Sequence, residues 1–223
     1  AATVVAGIVA GMKLNQMIEA GTITAEQAVI GYVAAWPYAE VKSGYTAFFL
    51  GARSVCPSAT MKVEYTNSWF DIALEKTAAE TLIAAGCVLL SQHADSEGAP
   101  KACEEAGIPN VAYNISTISI APNTALISSK IDWTPYMKLI IEKTRDGKGS
   151  EIPYDWCGGI AEGSVVLTGL NQDVIAEGIA VSTIPGASAG IRALISSGIP
   201  PMPYTFYGFL DSKKNKRIFF IKN

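Results

Sequence analysis

The chain has 223 residues, 49% of them hydrophobic, and a net charge of −3. That is ample apolar matter for a packed core, and the slight acidity offers no basic field to hold a nucleic acid. No apolar run is long enough to span a bilayer, and Cys56, Cys87, Cys103 and Cys157 show no C-x-x-C spacing, so they read as four buried free thiols.

Residues 4–21 carry apolar side chains at helical spacing and stop at Gly21. With no initiating methionine before it, this stretch reads as the last helix of a preceding lobe, in a chain that starts part-way through a longer one. Thr24 and Gln27 then make a capping box for one short turn. Residues 29–36 (VIGYVAAW) are a strand that Pro37 ends, leaving Trp36 and Tyr38 at its carboxyl end. Residues 43–55 read as a helix capped by Ser43, with its aromatics in the core.

Three strands alternate with two helices next. MKVEYT (61–66) alternates β-branched and aromatic residues, and an Ala/Leu/Glu-rich helix follows from Asp71 to its glycine stop at Gly86. CVLLSQ (87–92) is continuously apolar, the pattern of a strand buried on both faces, and a shorter helix ends at Gly107 before NVAYN (110–114). Residues 124–133 supply a further strand ending in Ser128, Ser129, Lys130 and Asp132. An amphipathic helix begins with Pro135 in its first turn and stops at Gly147, and residues 155–170 read as a glycine-rich hairpin. Strands alternating with helices mean βαβ units and a parallel sheet. The prolines and glycines after about residue 180 lack a period, and the basic cluster of Lys213, Lys214, Lys216 and Arg217 reads as a solvated tail.

The polar and aromatic clusters all fall at the carboxyl ends of the strands, where open parallel sheets bind ligands. The candidates there are Trp36, Trp69, Asp71, Asp95, Asn114 and Lys130. Several residues here also have a structural role open to them: Trp69 as a packing tryptophan, Asp71 as a helix N-cap, Lys130 as an ion pair with Asp132, Trp36 and Tyr38 as closure of the lobe, Phe70 as core. His93, the sole histidine, reads as a hydrogen-bonded structural residue.

IGYVAAWPYAEVKSGYTAFFLGARSV, VEYTNSWFD, QHADSEGAPKACEEAG, NVAYN and LISSKIDW occur in an order and spacing that resemble the basic membrane protein family of ABC-importer receptors, which includes purine nucleoside receptor lipoproteins. The resemblance runs from about Ala6 to Leu170. It implies an α/β fold, the parallel-sheet lobe of a type I periplasmic binding protein, with residues 1–28 ending the first lobe and approaching the hinge. Residues 29–170 form the second ligand-binding lobe, and residues 171–223 a divergent segment for which, from Val181 on, a frame error or foreign tail is the expectation.

The resemblance also implies function: an extracytoplasmic receptor, lipid-anchored when intact, that delivers a small molecule, in all expectation a purine nucleoside, to an ABC permease, with no enzymatic role and no cofactor. Trp69 would stack on a base, and Lys130 matches a family lysine near the ribose. Asn114 stands where the family has an aspartate that binds ribose hydroxyls, so restoring Asn114→Asp would be expected to tighten ribose binding. The alternatives are the sensor domain of a regulator, whose DNA-binding helices would lie outside this stretch, and a Cys-His hydrolase. The latter would need a cysteine beside His93 at the carboxyl edge, and the sequence has no G-x-S-x-G, P-loop or zinc spacing.

Overall fold

A computed structural model describes residues 2–171 and 174. Their centre is a six-stranded sheet built from β1 (Val29–Ala34), β2 (Thr60–Tyr65), β3 (Leu89–Gln92), β4 (Asn110–Tyr113), β5 (Ala125–Ile131) and β6 (Val165–Leu167). The order is β2-β1-β3-β4-β5-β6, parallel except for β6, which runs antiparallel to β5. Order therefore reverses between β1 and β3, and that is the switch point at which doubly wound sheets open a crevice.

The sheet is covered on both faces. Along β1, Ile30, Tyr32 and Ala34 enter one apolar cluster while Val33 and Ala35 enter the other, as the two-residue period of a strand requires. The first cluster lies under α1 (Ala2–Glu19) and α2 (Ala39–Val55), the second under α3 (Ile72–Ala84) and α4 (Gly98–Ala106). β2 is the edge, and it turns Lys62 and Glu64 to solvent, charges that discourage pairing with another chain. The last helix among the described residues, α5 (Thr134–Arg145), buries none of its own.

The fold corrects several expectations. Residues 2–19 do not stand apart as the end of another lobe: α1 buries Ala6, Val9, Ala10 and Leu14 in the core that holds β1 and α2. Glycines make this possible, since a Cβ on Gly7 or Gly51 would collide with the backbone carbonyl of Phe48 or Val4 across the helix crossing. Leu14 and Phe48, buried there, each contribute about 1.5–3 kcal/mol by leaving water. Ser43 does not cap α2, which starts at Ala39; its hydroxyl donates to Glu40 O inside the first turns. Residues 155–170 form no hairpin of their own, because β6 pairs with β5 instead. Cys157 is exposed while the other three thiols are buried, and burial pushes Cys103 up to about 12. The short turn at Ala25–Gln27 forms as expected, with the Gln27 carbonyl accepting from Thr24 N–H at 2.8 Å. The expectations for the tail beyond Val174 lie outside the described residues.

Candidate functional site

The loops that leave β1, β2, β3 and β4 meet along the carboxyl rim, and buried hydrogen bonds fix them to one another. Gln92, at the end of β3, turns its amide back to donate to Ala94 O (2.6 Å) and Ser96 O (3.0 Å), which curls the next loop. Asp95 N–H donates to Trp69 O at 2.9 Å, joining that loop to the one after β2. Glu75 completes the joint from below. It is fully buried, and its carboxylate accepts from Ser96 N–H (3.1 Å) and from Asp71 N–H (3.2 Å). Burial pushes the Glu75 carboxyl up, while these amides pull it the other way.

Two non-glycine residues on the rim have left-handed backbones, Asn67 (φ 54°) and Asn114 (φ 65°). Asparagine tolerates this region better than almost any other side chain, so both strands can turn sharply where they end. The turn at Asn114 is held by its N–H, which donates to Ser129 O at 2.7 Å, and its side-chain amide donates to Asp95 Oδ1 at 2.9 Å. An ionised carboxylate only accepts, so the amide end facing it is the NH₂, and the pair keeps Asn114 Oδ1 and Asp95 Oδ2 as acceptors.

Aromatic rings run along the same rim. Trp36 stacks on Tyr38 (5.7 Å between centroids, 9° between planes), and Tyr38 is tilted against Trp69 at 6.2 Å. Trp69 is tilted against His93 at 6.2 Å, and His93 stacks on Tyr113 at 4.6 Å. Trp69 keeps 40% of its surface exposed, which leaves a face for a planar or CH-rich solute.

The sequence candidates thus divide. Trp36, Trp69, Asp95 and Asn114 share this rim. Asp71 is beside them, with Oδ1 engaged as the N-cap of α3, accepting from Leu74 N–H at 2.9 Å. Lys130 is exposed one residue past the Tyr113–Ser129 pairing of β4 and β5, and its charge acts on Asp132, whose carboxylate accepts from Thr134 N–H at 2.9 Å. Phe70 is not core: it is 63% exposed.

Three rim residues escaped the sequence reading as site members: Glu75, Tyr113 and His93. His93 is not a satisfied structural histidine. It is buried, burial holds its imidazole below the usual histidine range, and Nδ1 makes no hydrogen bond among the described residues. An unpaired buried group of this kind costs about 1–3 kcal/mol. The signal that could have found it was its place directly after a fully buried strand. Cys87 lies before β3 and His93 after it, so the strand separates that thiol from the ring.

Residues 19–181 match the family model described as ABC transporter substrate-binding protein PnrA-like. The chain belongs to this family. A putative ABC transporter glucose-binding protein of Haloferax volcanii is 40% identical over 127 residues, covering 57% of this chain and 32% of the relative. A purine-binding protein of Brucella abortus is 34% identical over 152 residues, covering 67% of this chain and 43% of the relative. This PnrA-like chain therefore spans less than half the length of either. A crystal structure of ABC transporter solute-binding proteins from Aeropyrum pernix K1 shares the fold, with a TM-score of 0.61 at 21% identity over 75% of this chain and 47% of that one. Its α/β architecture is that of the type I solute-binding proteins. A separate short similarity, 53% identical over 45 residues, is to ribosomal RNA small subunit methyltransferase I of Streptococcus pyogenes serotype M18, covering 20% of this chain and 16% of the relative.

Proposed function

We propose that this PnrA-like lobe grips an uncharged purine nucleoside, as part of an extracytoplasmic receptor that feeds an ABC permease and is lipid-anchored when whole. The observation that carries the reading is the Asp95–Asn114 pair beside the exposed face of Trp69. Two acceptors next to an aromatic platform suit a solute with neighbouring hydroxyl or amino donors and a flat ring. The charged groups around this rim, Glu40, Asp71, Asp95 and Asp132 against Lys130, make an anionic solute a poor fit. The residues proposed to contact ligand are Trp36, Trp69, Asp71, Asp95, Asn114 and Lys130. The purine-binding relative supports the choice of solute.

The glucose-binding relative favours a second reading, a hexose lying on the same aromatic face. Titration calorimetry of the chain with adenosine, guanosine, adenine and glucose separates the two. A single lobe offers one stacking partner, about 1–3 kcal/mol, so nucleoside binding near 1 mM, roughly −4 kcal/mol, is expected. Glucose binding without nucleoside binding overturns the nucleoside reading, and sub-micromolar adenosine binding overturns the reading of one lobe of a two-lobed cleft.

We propose a separate origin for residues 182–223, the longer of the two stretches outside the family match and close in length to the 45-residue methyltransferase similarity. Resequencing the source DNA tests this; an unbroken frame with the same codons in an independent isolate overturns a frame error.

A further inference from the structure

Behind the rim, on the side covered by α1 and α2, lies a cavity of about 170 Å³. Tyr32, Glu40, Ser43, Gln92, His93 and Tyr113 line it, with Glu40 and Ser43 exposed at its mouth and Tyr32, Gln92 and His93 buried within. The volume corresponds to about six water molecules at liquid density, room for a polar substituent but too little for a whole drug-sized ligand.

The lining is rich in acceptors. Glu40 brings a carboxylate, and Ser91 on β3 and Ser129 on β5 bring hydroxyls. The tyrosine and serine hydroxyls donate or accept, and no lysine or arginine is among the described residues that line it. His93 is the member with a ring nitrogen, Nδ1, unpaired among the described residues. Its ring is clamped against Tyr113 at 4.6 Å, and Gly44 leaves the space it needs, since a Cβ there would stand 3.1 Å from His93 Cδ2. Nδ1 is sealed in the packing, and it is the Cδ2–Nε2 edge of this clamped, buried imidazole that lies toward Gly44 and the polar cavity under the aromatic rim, where Nε2 can meet a hydrogen-bonding group of a solute.

We propose that His93 and this cavity form a second recognition subsite beneath the rim, which takes the hydrogen-bonding end of an uncharged solute carrying hydroxyl or amino donors. The proposal rests on the reading of the chain as a solute-binding lobe. The imidazole, flanked by Tyr113 and the acceptors, sets which substituent is accepted; the rim aromatics hold the ring above it.

His93 is the only histidine in the chain, so its two ring nitrogens can be followed without assignment in histidine-labelled ¹⁵N spectra. The chain is titrated with adenosine, guanosine, ribose and glucose up to millimolar concentration. A solute that binds moves the His93 ring nitrogens in step with the backbone signals of Trp69 and Asn114. His93→Phe, which keeps the stacking and removes the nitrogens, lowers affinity tenfold or more while the melting temperature holds or rises, and His93→Gln restores part of the loss. A solute that moves Trp69 and Asn114 but leaves the His93 nitrogens unshifted overturns the subsite, and so does a folded His93→Phe that binds undiminished. Should His93→Phe fail to fold, the wild-type titration still decides. Sugar binding that moves His93 keeps the subsite and removes the nucleoside reading; nucleoside binding that leaves it unmoved does the reverse.

Discussion

Asn114 Nδ2 donates to Asp95 Oδ1 across 2.9 Å, so the carboxylate beside the end of β4 comes from the loop after β3. This reverses one expectation from sequence. Asn114→Asp would set two carboxylates at hydrogen-bond distance, and one of them would be forced to keep a proton. The folded state would then hold a proton that the unfolded state releases above about pH 4, so stability falls as pH rises through the raised folded value. Thermal melts should show a lower Tm than wild type at pH 8 and a smaller difference at pH 5. Tighter adenosine binding at pH 8 with an unchanged Tm would restore the expectation from sequence.

Asn114→Ala separates sugar from base. It removes one acceptor and the donor that holds Asp95, and should cost an adenosine complex about 1–3 kcal/mol while affecting adenine much less. Equal losses for nucleoside and free base, measured by calorimetry, would remove hydroxyl recognition from this pair.

Trp69→Ala should weaken adenosine and guanosine alike by about 1–3 kcal/mol, because every base has a π-face. The side chain is 40% exposed, so little stability should be lost with it. Unchanged affinities together with a large drop in Tm would make Trp69 a packing residue, and Trp36 the next rim ring to test.

Gly7 and Gly51 face the opposite helix backbone at the α1–α2 crossing. Gly7→Val or Gly51→Val must push the helices apart, at a cost of about 1–3 kcal/mol or more from overpacking. Urea unfolding should show a lowered midpoint with an unchanged slope. A midpoint matching wild type would mean that α1 does not pack on this lobe.

His93 gives stability a second pH dependence. Its imidazole is held low by burial, against the carboxylates of Glu40 on α2 and Asp95 after β3, with Tyr32 on β1 and Tyr113 on β4 also close by. The unfolded chain takes up a proton near pH ~6.5 and the folded chain resists it, so the unfolded state binds more protons below that point. Stability should therefore be complete above about pH 6.5 and fall as pH drops toward the folded value. The difference between wild type and His93→Phe isolates this from the carboxylates: it should widen in favour of His93→Phe on acidification. A difference that is flat between pH 7 and 5 would contradict the depressed imidazole.

Local patterns were sufficient to read the elements of this protein and its class. The continuous apolar run before Gln92, the alternation of MKVEYT, the glycine stops at Gly86 and Gly107 and the regular return of strand after helix are short-range signals, and they imply a parallel sheet with one ligand edge. Which groups meet on that edge is a matter of strand order and side-chain direction, and neither has a local signature. Packing placed α1 in this lobe, because glycines let two backbones touch where no side chain records the contact. The tertiary structure also turned Phe70 outward, brought Asp95 to Asn114 from another loop, and buried Glu75 beneath both. His93 shows the limit most plainly: the letters place it after a buried strand, but whether its ring nitrogens find partners depends on neighbours that other elements bring to it.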